Sequence, residues 1–79
     1  MSVTVVFLGR LADLAGAEQM MEAPLDWAGL LAGLPEDARV AIGDARVKLA
    51  HNGNLLSDRE ALQAQNGDEV ALLPPVSGG

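Results

Sequence analysis

The chain has 79 residues, 49% of them apolar, with 11 acidic side chains against 5 basic ones, a formal net charge of −6, one histidine and no cysteine. That is the length of one small domain, and the acidic balance excludes nucleic acid as the expected partner, because phosphate binding needs clustered Lys and Arg. Lack of cysteine removes a disulfide scaffold, a thiolate zinc site and a cysteine nucleophile, and the lone His51 excludes a multi-histidine metal site.

In chain order, Val3 to Leu8 is β-branched and predicts a strand that Gly9 ends. Leu11, Leu14 and Ala15 fall at i, i+3 and i+4, with Gly16 placed as a helix C′ glycine, which predicts one short helix. Gln19 to Ala23 reads as a second strand, antiparallel to the first. Asp26 is a suitable N-cap for the stripe Trp27, Leu30, Leu31 and Leu34, which Pro35 interrupts. Val40 to Ile42 fits one further helical turn. Arg46 to His51 alternates as a strand, Asn52-Gly53 supplies a tight hairpin turn, and Leu55-Leu56 starts the return strand. Ser57 or Asp58 caps a short turn through Leu62, Asn66-Gly67 makes another turn, and Glu69 to Leu73 is the last strand before Pro74-Pro75. No segment has the basic flank and apolar length of a signal sequence, and none nears the roughly 20 apolar residues of a membrane span, so a soluble cytoplasmic protein is expected.

These elements predict an α+β fold: a mixed sheet of about five strands with a two-helix layer on one face. The first and last strands would lie parallel at its centre, the β-grasp arrangement of ubiquitin. Residues 1–73 form that domain and 74–79 a flexible tail. Both central strands are apolar on both faces, while helices can cover only one. Apolar side chains on the other face therefore suggest a docking surface.

The chain closes Pro74-Pro75-Val76-Ser77-Gly78-Gly79. Two prolines make a stiff spacer, two glycines leave a bare tip, and six residues can reach roughly 20 Å from the sheet. A stem of this kind suits threading a carboxylate into a narrow channel of another protein.

Taken with Gly67-Asp68-Glu69-Val70-Ala71 before it, this ending resembles the small subunit of molybdopterin synthase, a β-grasp sulfur-carrier family related to the thiamine sulfur carrier. Phe7 closing the first strand, Arg10-Leu11, Leu14-Ala15-Gly16 and Val47 to Gly53 add to the match. It is weakest from Trp27 to Ala45, where the chain is shorter than is usual in that family.

The resemblance implies a chemistry. An ATP-consuming, E1-like adenylyltransferase would adenylate the Gly79 carboxylate, and a sulfur-donor protein would convert it to a thiocarboxylate. Gly78 would give access. The loaded tail would enter the large, catalytic subunit of molybdopterin synthase and pass sulfur to a cyclic pyranopterin monophosphate. Pro74, Pro75, Val76 and Ser77 would bind the partner as the stem threaded into that channel, and Phe7, Leu55 and Leu73 on the open sheet face would dock both partners in turn. The carrier itself would be non-catalytic and hold no cofactor, no metal, no nucleic acid and no membrane.

The remaining residues take plainer roles. His51 reads as an ordinary strand residue, Asp68 and Glu69 as turn residues and Trp27 as core, while Lys48 and Arg10 read as solvated surface charge ahead of the alternative, contact with an anionic partner or substrate. The −6 balance itself predicts steering toward basic partner surfaces. Two other readings stay open: a sulfur carrier for thiamine, tRNA thiolation or cysteine synthesis, and a ubiquitin-like modifier conjugated through Gly79.

Overall fold

The computed structural model describes residues 1–75. Its strands are β1 (Ser2–Phe7), β2 (Glu18–Glu22), β3 (Lys48–His51), β4 (Asn54–Leu55) and β5 (Glu69–Leu73). Its helices are α1 (Leu11–Ala15), α2 (Trp27–Ala32) and α3 (Glu36–Ile42), with one 3-10 turn at Arg59–Ala61. The strands form one sheet in the order β2-β1-β5-β3-β4, with β1 and β5 parallel and every other neighbouring pair antiparallel. The expected pairing of first and last strands is present.

Local chemistry accounts for the element ends. Asp26 Oδ1 accepts the Gly29 N–H at 2.7 Å, capping α2. Asp58 similarly accepts the Glu60 N–H at 3.0 Å at the 3-10 turn. Gly16 ends α1 at φ +87°, and the β3–β4 hairpin turns on Asn52 at φ 50° and Gly53 at φ 83°. Two expectations are corrected. The helical layer has three α-helices rather than two, because Pro35 stops α2 and also sits at the N-cap of α3, with Glu36 and Asp37 in its first turn. β4 begins at Asn54, one residue early, since the two-residue turn pairs His51 directly with Asn54.

The core lies between the sheet and the helices. Val3, Val5 and Phe7 of β1, Val70 and Leu72 of β5, and Leu49 of β3 meet Leu11, Leu30, Leu34, Ala38 and Ile42. Trp27 is half-buried and packs against this cluster. Phe7 is thus another correction: it is 2% exposed, inside the core, and its side chain offers nothing to a partner. Strand alternation put Phe7 with Val3 and Val5, but not which face the helices would cover.

Candidate functional site at the root of the tail

β5 ends at Leu73, and Pro74 and Pro75 follow it half-buried rather than free in solvent. The parallel ladder continues to this point, where the Leu8 N–H donates to the Leu72 carbonyl at 3.0 Å. The chain then turns at Gly9, whose φ of +56° lies in the left-handed region. A Cβ on Gly9 would lie 2.9 Å from Pro74 Cγ, so the tail root rests directly on the missing side chain.

Beyond this contact a cleft of about 250 Å³ opens, lined by Arg10, Leu11 and Leu14 with Ala41, Asp44, Arg46, Pro74 and Pro75. Leu14, read as part of the helical stripe, is 44% exposed and forms this wall instead of core. A second concavity against the same prolines is lined by Ala45, Arg46 and Lys48. Arg46 forms a bidentate pair with Asp44, Nη2 to Oδ2 at 2.9 Å and Nε to Oδ1 at 3.2 Å. That hydrogen bonding, together with the Arg46 backbone N–H, holds the Asp44 carboxyl down to about 2 and in turn raises Arg46.

The sheet face away from the helices carries a second feature. Cross-strand pairing lines up Glu18, Val6, Ala71, Ala50 and Leu55 as one row through all five strands. Leu55 is 66% exposed at its end, and Leu73, half-buried, pairs with Lys48 one row on. Leu55 and Leu73 therefore share the open face, and Pro74 and Pro75 leave from its border. Val76, Ser77, Gly78 and Gly79 lie outside the described residues.

His51 does not join this site. Its Nε2 is 2.9 Å from Asp68 Oδ2, which also accepts the Gln65 N–H at 2.8 Å. These contacts, the Gln65 amide foremost and His51 next, hold the Asp68 carboxyl down to about 2. Asp68 precedes β5 and Pro74 follows it, so Asp68 stands roughly 20 Å from the tail root along the strand. As expected, Asp68 serves a turn; its pairing with His51 had no signal in the sequence. Among the described residues no three His, Asp or Glu side chains gather to hold a metal ion, and no helix is long and apolar enough to cross a membrane.

A mixed five-stranded sheet, parallel at its centre, with helices on one face and the last strand releasing a Pro-Pro stem, defines a ubiquitin-like β-grasp protein. The chain belongs to the ThiS family, whose profile matches residues 5–79. It is 31% identical over 83 residues to the molybdopterin synthase sulfur carrier subunit of Anopheles gambiae, covering 98% of this chain and 91% of that one. Among solved structures it resembles a chain of the complex of subunits 1 and 2 of the molybdopterin-converting factor from Helicobacter pylori, at TM-score 0.68 and 30% identity over the whole of both chains. It also resembles SAMP1 from Haloferax volcanii, at TM-score 0.73 and 26% identity, again over both whole chains.

Proposed function

We propose that this chain carries sulfur on the Gly79 carboxylate as the small subunit of a molybdopterin synthase. The observation that carries the reading is the likeness at about 30% identity, over nearly the full chain, to proteins bearing that name. The tail root supports it, because Pro74 is seated against Gly9 where β5 ends, and the sequence beyond it closes on two residues without side chains. In this reading a carboxylate oxygen of Gly79 attacks the α-phosphate of ATP on an E1-like adenylyltransferase, and pyrophosphate leaves. A sulfide-level nucleophile supplied by a donor protein then adds at the acyl carbon and AMP departs, giving the thiocarboxylate. The tail next enters the large synthase subunit, where the sulfur is transferred to the cyclic pyranopterin monophosphate. In this reading the carrier needs no thiol, metal or cofactor of its own, since the reacting group is the terminal carboxylate of the chain and the ATP belongs to the activating enzyme.

The test begins with mass spectrometry of protein from its native host. The expected species is heavier by one sulfur-for-oxygen exchange at Gly79. Thiocarboxylated protein, mixed with the large subunit and the pyranopterin precursor, should then yield the dithiolene. A genuine thiocarboxylate that yields none would assign the sulfur to another acceptor. The likeness to SAMP1, which belongs by its other name to the small archaeal modifiers, favours one second reading, conjugation through Gly79 to lysine. Isopeptide-linked chains in the same preparation would establish that reading.

A further inference from the structure

Charge is not spread evenly over this molecule. Of its five basic residues, Arg10, Arg46 and Lys48 line the two concavities flanking Pro74 and Pro75. Of its eleven acidic residues only Asp44 lines them. The tail root thus has a local excess of two positive charges, leaving a net of eight negative charges on the other side chains. Asp44 engages Arg46, whereas Arg10 and Lys48 make no ion pair among the described residues, and both are exposed. From the sequence these two read as solvated surface charge ahead of contact with an anion, and the fold favours the second reading by collecting both at the tail root. The total of −6 points toward basic partners, but the end that must be presented first has the opposite sign.

We infer that Arg10 and Lys48 form a cationic collar that docks on carboxylates at the mouth of the channel receiving the tail. The inference rests on the tail-delivery reading above and names the chemistry of the surface that the tail root meets. A phosphate on the reacting end of the tail is the other anion available. Drawn out, the four residues beyond Pro75 span about 13 Å, which places that phosphate beyond the reach of side chains at the root. The collar stays at the rim while the tip works inside. A positive pole on a negative body also turns the approaching molecule, so that the tail end faces a negative rim before contact.

Rim charges act mainly on the association rate, and salt screens them, with a Debye length near 10 Å at 0.1 M and about 3 Å at 1 M. The experiment is stopped-flow association of the full chain with the large synthase subunit across a salt series. Reversing the collar with Arg10→Glu and Lys48→Glu should slow association about tenfold or more at low salt, and the difference should close as salt approaches 1 M. Arg10→Lys should keep the rate within about twofold, because a rim contact needs charge rather than a guanidinium fork. Glu22→Lys, on the far edge strand, should leave the rate within the same range.

Unchanged or faster association after collar reversal would overturn the inference, as would a loss insensitive to salt. Failure of the unaltered chain to bind the large subunit would overturn the delivery reading and the collar with it. Circular dichroism of the reversed variant separates either result from misfolding, and the single Lys48→Gln variant, expected to give an intermediate rate, provides a milder change at the same site.

Discussion

Two residues show how much rests on single groups. Gly9 combines a left-handed φ of +56° with the contact that would bring a Cβ within 2.9 Å of Pro74 Cγ. Alanine there suffers twice, through roughly 1–2 kcal/mol of backbone strain and through displacement of the proline. Asparagine tolerates that backbone region, so Gly9→Asn isolates the contact. We expect the variant to fold, with adenylation of the tail slowed several-fold, and Pro74→Ala in the same chain to recover part of the loss. Initial rates alongside a thermal melt measure both, and normal rates for Gly9→Asn would show that this contact does not aim the tail. Asp68 makes a different prediction. Its carboxyl titrates at about 2 instead of 3.8, so folding favours its charged form. Its stabilisation is whole above the ordinary carboxylate value and is lost as pH falls through the lower one. In denaturant melts Asp68→Asn should be less stable near neutrality and lose less than the unaltered chain between about pH 4 and pH 2. Asp44, held down to about 2 by Arg46, keeps some acid sensitivity in that variant.

At the scale of elements, the least expected tie is made by Arg59. Its Nη1 donates to the carbonyls of Ile42 and Asp44, each at 2.8 Å, and its guanidinium lies 4.6 Å from the centre of the Trp27 ring. One side chain thereby satisfies the C-terminal end of α3, places a positive charge on the negative pole of that helix, and clamps α2 from above. Ala41 and Asp44 on that same stretch wall the tail-root cleft, so the clamp also supports the site. Arg59→Ala should cost about 1–3 kcal/mol, and Arg59→Lys should restore only part, since an ammonium lacks the flat guanidinium that lies over the Trp27 ring and the second nitrogen that reaches the Gly43 carbonyl. In a domain of this size the loss reads as a fall in melting temperature of about 4–8 °C per kcal/mol. The strands, the Asp26 cap and the Asn52-Gly53 turn were legible in the sequence because each is set by near neighbours. Arg59, Asp44 and Trp27 were not, because nothing in the spacing of residues 15 or 32 apart announces that their elements converge. The second half of the cleft was hidden for the same reason: the prolines declare a stem, while the wall beside them comes from α1 and α3.

Over the whole molecule, the two faces of the sheet carry opposite consequences for substitutions that look alike on paper. Phe7 and Leu55 are both large, apolar and in strands, and both were expected on the docking face. The fold separates them, with Phe7 2% exposed against the helices and Leu55 66% exposed at the end of the open row. β1 is apolar on both sides, so alternation alone could not tell which set the helices would claim, whereas their packing onto Val3, Val5 and Phe7 does. A domain of 79 residues has on the order of 4–12 kcal/mol of net stability to lose. Phe→Ala in a core removes about 3–5 kcal/mol, and an aspartate at Phe7 would add a buried, unpaired charge, so Phe7→Asp should unfold the chain. Leu55→Asp removes no buried contact of comparable size and should change stability by only about 0.5 kcal/mol. If the open face receives both the activating enzyme and the large subunit, Leu55→Asp should weaken each association about tenfold or more in titration calorimetry while the melt stays in place. Association with both partners unchanged in a folded Leu55→Asp chain would move the docking surface off this face, leaving the tail root as the part of the molecule that partners hold.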